Sequence, residues 1–147
     1  MASTNNVEED PYPGYNPHGD LEKVAENLYV VYGSFYPKPM IRINNTMTVV
    51  KNGDEIIIVN SLRVSKEVEE QIQKLGKIKH VVRLCGGHGA YDRYYVERFN
   101  CTLWDLPATD RKISEHQRVL SEGSECPIAG AKIFLVKAIC RIEEAII

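Results

Sequence analysis

Apolar and polar positions alternate in short blocks along this chain, and each block predicts its own element. From Leu28 to Tyr32 the β-branched and aromatic residues predict a strand, which Pro37 and Pro39 end by forcing an extended connection. Thr46 to Lys51 predicts a second strand and Glu55 to Val59 a third, with Asn52-Gly53-Asp54 between them as a hairpin turn. Ser65 predicts the cap of a helix reaching about Leu75, because Val64, Val68, Ile72 and Leu75 form one apolar stripe and Gly76 supplies a stop. A strand from about Ile78 to Leu84 then delivers a glycine-rich loop. Tyr91, Tyr95 and Phe99, four residues apart, mark a second helix that Asn100 ends. Thr102 to Leu106 predicts a strand stopped by Pro107, and the polar stretch from Ala108 to Pro127 reads as a loop. Two final runs, Ala131 to Val136 and Glu143 to Ile147, are strand candidates, and the first also fits a buried helix. The resulting order, β-β-β-α-β-α-β-β-β, predicts an α+β (α/β) fold with a mixed sheet and helices on one face.

Composition narrows the picture. Residues 1–20 are polar and contain Pro11, Pro13 and Pro17, so a disordered N-terminal arm is expected there and a single domain over 21–147. With 18 basic and 20 acidic residues the net charge is -2, and the absence of a basic patch argues against a nucleic-acid surface. The longest apolar runs, such as Ile56 to Val59, fall far short of the roughly 20 residues that span a bilayer, so no membrane partner is expected. The N-terminal residues resemble neither a signal peptide nor a transit peptide, and a cytoplasmic location is the expectation. Cys85, Cys101, Cys126 and Cys140 lack C-x-x-C spacing and are expected to be reduced.

The densest candidate chemistry lies in the loop Leu84-Cys85-Gly86-Gly87-His88-Gly89-Ala90-Tyr91-Asp92-Arg93. A strand ending in a glycine-rich loop that opens a helix is where α/β proteins often keep a site. From His88 the loop spells H-x-A-x-D-R, the spacing of the metal-binding H-x-H-x-D-H motif with two of its four ligand positions changed. Together with the phrases Glu26 to Tyr32, Asn45 to Val50 and Asp54 to Ser61, this loop resembles the opening of a metallo-β-lactamase-fold chain. Gly87 to Phe99 is more similar to a poorly characterised branch of that superfamily than to its hydrolases. The resemblance covers about Leu21 to Ile147. It implies the N-terminal half of an αββα sandwich whose two halves hold the metal site between them. A complete domain would continue past Ile147 with another Asp-bearing loop, a second sheet and a distal histidine. The expectation is therefore a truncated domain that self-associates or takes a second half-domain, with Ile57, Val81, Phe134 and Val136 exposed.

In active members of the family the histidines of the motif hold one zinc, and the Asp and last His contribute to a second. The resemblance thus makes His88 and Asp92 remnant metal positions, with Ala90 and Arg93 replacing the other two. Alanine donates no lone pair, and a guanidinium sets a fixed positive charge where a dication would sit. Two ligands left from different sub-sites do not build a four-coordinate centre, so no cofactor is expected. Neither His80, inside a strand, nor His116, in a polar loop, makes a convincing third ligand.

Plainer roles stand beside these. His88 suits a loop histidine that shapes the turn, and Asp92 a carboxylate capping the helix start. Arg93 suits a surface ion pair. Cys85 before a helix N-terminus is a possible nucleophile, yet Tyr91 stands where a cysteine-phosphatase loop needs arginine, and a buried thiol is the plainer reading. Gly86, Gly87 and Gly89 suit a phosphate cradle but lack the lysine and hydroxyl of a P-loop. Tyr91, Tyr94, Tyr95, Phe99 and Trp104 suit a core or an interaction face. Three functions follow: a catalytically silent protein of interaction or assembly; a zinc- or iron-dependent hydrolase completed by a second half or a dimer; and small-molecule or phosphate binding at the glycine-rich loop.

Overall fold

Alternating β-branched and aromatic residues build a seven-stranded sheet in the computed structural model, which describes residues 10–107, 112–137 and 143–146. In chain order the elements are β1 (Glu22–Ala25), β2 (Leu28–Lys38), β3 (Ile41–Asn52), β4 (Glu55–Val59), α1 (Lys66–Leu75), β5 (Lys77–Val82), α2 (Asp92–Phe99), β6 (Thr102–Asp105), β7 (Arg118–Val119), β8 (Phe134–Lys137) and β9 (Glu143–Ile146). Strands β1 to β7 lie side by side in sequence order. The first four pair antiparallel through short turns; β4 to β7 pair in parallel, with α1 and α2 as the first two crossovers. β8 and β9 form a separate antiparallel hairpin.

The helices form where sequence and packing agree. The Ser65 side chain accepts a hydrogen bond from the Val68 amide at 3.4 Å, so it caps α1. Val68 and Ile72 are buried against the sheet. Gly76 follows because the helix end crosses the β3–β4 turn closely: a Cβ there would lie 2.5 Å from the Asp54 carbonyl oxygen. Asn100, left-handed at φ 49° and ψ 47°, ends α2.

The β3–β4 turn falls within Asn52-Gly53-Asp54 as expected, with Asn52 paired to Glu55 and Gly53 at φ 61° in the first turn position. Three expectations change. Pro37 does not end β2, because it falls where the ladder to β3 shifts register, between Phe35 and Lys38. The polar stretch after Pro107 contains β7, which pairs Val119 with Asp105. Of the expected disordered arm, residues 1–9 lie outside the described residues, while residues 10–20 lie against the domain. There the Tyr12 hydroxyl donates to Glu97 at 2.6 Å, Asn16 donates to the Tyr91 oxygen at 3.0 Å, and His18 Nε2 accepts from the Ser65 amide at 2.8 Å. Specific partners for a few side chains hold a segment whose average composition is polar.

Both helices cover one face of the sheet. Val31, Met47, Val49, Ile56, Ile58, Val81 and Leu103 meet Val68, Ile72, Tyr95 and Val96 there. On the opposite face Ile57, Val59, Val82 and Trp104 meet Leu106, Leu120 and Ile133. This corrects the expected exposure of Ile57 and Val81: Val81 faces the helices, and Ile57 is covered by the segment that follows β6. Phe134 and Val136 are exposed as expected, at 56% and 40%. No helix among the described residues is long and apolar enough to cross a membrane.

Candidate functional site

The end of β5 is pinned on both sides before the glycine-rich loop begins. The Arg83 amide donates to the Trp104 carbonyl at 2.9 Å, and the Leu84 amide donates to Asn60 Oδ1 at 3.0 Å. The loop then turns back on itself, the His88 amide donating to the Cys85 carbonyl at 3.0 Å. Gly89 sits at φ 108°, and a Cβ there would lie 2.5 Å from Arg83 Nη1 and 2.8 Å from Asp92 Oδ2. Only glycine fits between those two side chains. Asp92 opens α2 with its carboxylate directed inward.

Asp92 is fully buried. Its Oδ1 accepts from the Ser61 hydroxyl at 2.5 Å, and its Oδ2 lies 3.9 Å from Arg83 Nε. Arg83 is also buried, and it grips Asp105 with two parallel bonds, Nε to Oδ1 at 2.7 Å and Nη2 to Oδ2. A third guanidinium nitrogen, Nη1, reaches the His88 carbonyl at 3.4 Å. Asp105 further accepts from the Gln117 side chain at 3.1 Å and from the Leu106 amide at 2.7 Å. A fixed guanidinium thus joins the ends of β5 and β6 to the loop and the start of α2. Bidentate charge-assisted bonds of this kind are among the strongest polar contacts in a protein interior.

The other motif positions diverge. Arg93 points outward and pairs with Glu97 at 2.6 Å, one turn along α2. Ala90 is exposed, His88 is half-buried, and both border a cavity of 310 Å³. Phe35, Pro37 and Ile43 of the β2–β3 hairpin wall that cavity on one side, and Gly87, Ala90 and Tyr91 on the other. Burial raises the Tyr91 phenol, although the bond from Asn16 acts the other way. His80 stands well apart, on β5, where its Nδ1 accepts from the Trp104 indole at 3.2 Å. His116 is exposed in the segment before β7. Among the described residues no three His, Cys, Asp or Glu side chains group where they could hold a metal ion. The residues at the motif positions therefore do not fit a two-metal centre: one carboxylate is committed to a serine and an arginine, one position has no donor, and one points to solvent.

Arg93 makes the surface ion pair expected of it, whereas Asp92 does not cap α2: Tyr91 stands at the N-cap with no side-chain hydrogen bond to the helix, and the Asp92 carboxylate turns to Ser61 and Arg83 instead. Arg83, Ser61 and Asp105 are missed by motif reading. Their available signal was a lone arginine between Val82 and Leu84, at the end of a strand otherwise suited to the core.

No protein-family model and no curated protein matches the chain. Solved structures do. The chain is similar to a metallo-β-lactamase from Erythrobacter litoralis, with a TM-score of 0.56 and 15% identity over 78% of this chain and 54% of that one. Similarity to VMB-1 gives a TM-score of 0.58 with 17% identity, covering 78% of this chain and 57% of that one. For FIM-1 from Pseudomonas aeruginosa, in its mono-zinc form, the TM-score is 0.57 with 13% identity, covering 83% and 60%. The chain has the metallo-β-lactamase fold and spans somewhat more than half the length of these structures.

Proposed function

We propose that this chain is a metallo-β-lactamase-like protein without two-metal hydrolase activity, acting in interaction or assembly. The observation that carries the reading is the Asp92 carboxylate, buried between the Ser61 hydroxyl and the Arg83 guanidinium. A metal would have to displace that serine bond and approach beside a fixed positive charge, with Ala90 giving it no donor on the other side. Water activation by paired metals has no donor set here.

Assembly is supported by what the far face of the sheet leaves open. A groove of 590 Å³ runs between Leu28, Val50 and Val59 on the sheet and Ile128 and Ala131 on the following segment, with Phe134 and Val136 exposed on β8. Apolar surface of this kind suits a second copy or a second half-domain. Cys85, Cys101 and Cys126 are thiols rather than half-cystines, which suits a reducing compartment, and a cytoplasmic place belongs to the same proposal.

The test combines metal binding and turnover. Calorimetry with zinc should give no stoichiometric binding, and lactam, thioester and phosphodiester substrates should not be hydrolysed above background. Metal-dependent turnover that disappears in His88→Ala would overturn the first part. Sedimentation should show self-association at tens of micromolar or binding to an added second half-domain, and a clean monomer that binds neither would overturn the second.

A further inference from the structure

The β2–β3 hairpin ends in a two-residue turn, Pro39-Met40, between Lys38 and Ile41, which pair across it. Around that turn the apolar side chains are open to solvent: Met40 is 95% exposed, Ile43 50%, Ile41 48% and Tyr36 41%. One exposed side chain of this kind is ordinary. Gathered between Tyr36 and Ile43 at the tip of one hairpin, they form a patch that marks a surface meeting something apolar.

The same tip is cationic. Lys38 and Arg42 are exposed, and neither forms an ion pair with a described residue, whereas Arg63, Arg83, Arg93 and Arg98 are each held by a carboxylate. From Asn27 to Gly53 the chain carries Lys38, Arg42 and Lys51 and no Asp or Glu, although the whole protein has a net charge of -2. On the neighbouring strand Glu22 pairs with Val30, far down the ladder from Lys38. At ~3.3 Å per residue the separation is ~26 Å, well beyond the ~8 Å screening length at physiological salt, so the acids of β1 leave the tip its charge. Pro37 and Pro39 also lack an N–H, which leaves fewer backbone donors to desolvate when the tip enters an apolar medium.

We propose that the tip of the β2–β3 hairpin docks this protein on an anionic lipid surface. Met40 and Ile41 enter the boundary between head groups and acyl chains, Tyr36 lies at head-group level, and Lys38 and Arg42 meet the lipid phosphates with their stems along the apolar layer. Charge and apolar exposure in one place are complementary to such a surface. The form of the patch favours it over a protein partner, because a projecting turn offers only Tyr36 to Ile43 where a stable protein interface uses ~20–30 residues a side. The expectation of no membrane partner rests on spanning length, and a hairpin tip held at the interface crosses nothing. Anionic lipid is characteristic of the cytoplasmic leaflet, in keeping with the cytoplasmic place proposed above. The inference is independent of the assembly reading, which rests on the far-face groove beside Leu28, Val50 and Ile128.

Co-sedimentation of the full chain with vesicles of phosphatidylcholine, with and without phosphatidylserine, tests it. At about 0.1 M salt the protein should pellet with the phosphatidylserine vesicles and stay in solution with phosphatidylcholine alone. At about 1 M salt, where the screening length falls from ~10 Å to ~3 Å, it should be released. Lys38→Gln combined with Arg42→Gln should weaken binding about ten-fold or more, since each cation at such a surface multiplies the affinity several-fold. Met40→Asp should do the same. Lys23→Gln combined with Lys74→Gln, an equal change of charge on exposed residues elsewhere, should leave binding unchanged. In Met40→Trp, brominated lipid should quench the added emission, while the buried Trp104 of the unaltered protein stays unquenched. The proposal is overturned by no binding to phosphatidylserine vesicles, by equal binding to both compositions, by tip variants that lose no more than the Lys23 and Lys74 pair, or by an unquenched Met40→Trp. Tip variants that dissociate a self-associated chain without vesicles would make the tip an interface between copies and overturn it as well. Self-association through the far-face groove is measured without lipid, so the two readings fail separately.

Discussion

Replacing Arg83 by Met should cost about 3–5 kcal/mol of folding stability, the range for removing one partner of a buried charge pair. The magnitude follows from what remains. Arg83 donates twice to Asp105, once to the His88 carbonyl, and stands 3.9 Å from Asp92. Methionine matches much of the aliphatic stem, so the loss is mainly electrostatic, two buried carboxylates being left without their cation. Asp92 keeps the Ser61 bond, and Asp105 keeps Gln117 and the Leu106 amide, which holds the cost within that range rather than above it. A domain with ~5–15 kcal/mol in total would be left marginal. Urea unfolding followed by Trp104, the single tryptophan, measures the effect. The double variant Arg83→Met with Asp105→Leu should lose clearly less than the sum of the single losses, because it removes both members of the main pair. A single-variant loss below about 1 kcal/mol, in the range of exposed ion pairs, would refute the reasoning. So would strict additivity in the cycle.

Two other outcomes rest on buried titratable groups. Burial lowers the His80 pKa, against the opposing pull of Glu55, so the folded state favours neutral imidazole. Its contribution to stability is then fully present above the unfolded value near 6.5 and is lost as pH falls through the lowered folded value. The pH slope of stability below 6.5 should flatten in His80→Gln, and an unchanged slope would contradict the assignment. Cys101 is buried and burial pushes its thiol up to about 12, so it should resist thiol-specific labelling at pH 8 in native protein and react fully in denaturant. Rapid native labelling located at Cys101 by mass spectrometry would show that α2 opens far more easily than its packing implies.

The parts of the fold legible in the sequence are those fixed by local chemistry. The α1 helix is announced by Ser65, by Val68 and Ile72 and by Gly76, and each does in the structure what its type suggests. Strands β4 to β6 and the second half of β3 are legible because short β-branched and apolar runs there are bounded by turn and stop signals, whereas the first half of β3, Ile41 to Asn45, carries no such signal. By contrast, β1 is exposed at all four of its residues, Glu22, Lys23, Val24 and Ala25, and it forms because Asn27, at φ 58°, turns its backbone onto β2. No hydrophobic pattern reports that. The extension of β2 through Pro37 is hidden for a related reason, since a proline forbids a ladder bond only where the ladder requires one. The docked segment from Asp10 to Asp20 depends on partners as remote as Glu97, and composition averages over such contacts.

For the site, spacing placed His88 and Asp92 in one loop but not the direction of their side chains. A carboxylate at the first position of α2 has two environments within reach, the open cavity in front of the loop and the strand ends behind it. Arg83 decides between them. Its guanidinium sits behind the loop, fixed by Asp105 across two neighbouring parallel strands, and draws the Asp92 carboxylate inward beside the Ser61 hydroxyl. The separation of 22 positions from Arg83 to Asp105 keeps that pairing out of any local motif. A fixed internal cation also changes what the loop can do: the pairing that holds its shape is made by side chains of the protein itself. The space in front of the loop has no charged side chain among its described lining residues. The one arginine thus accounts for the inward turn of Asp92, while Ala90 and the outward Arg93 remove the other donors that the motif spacing requires.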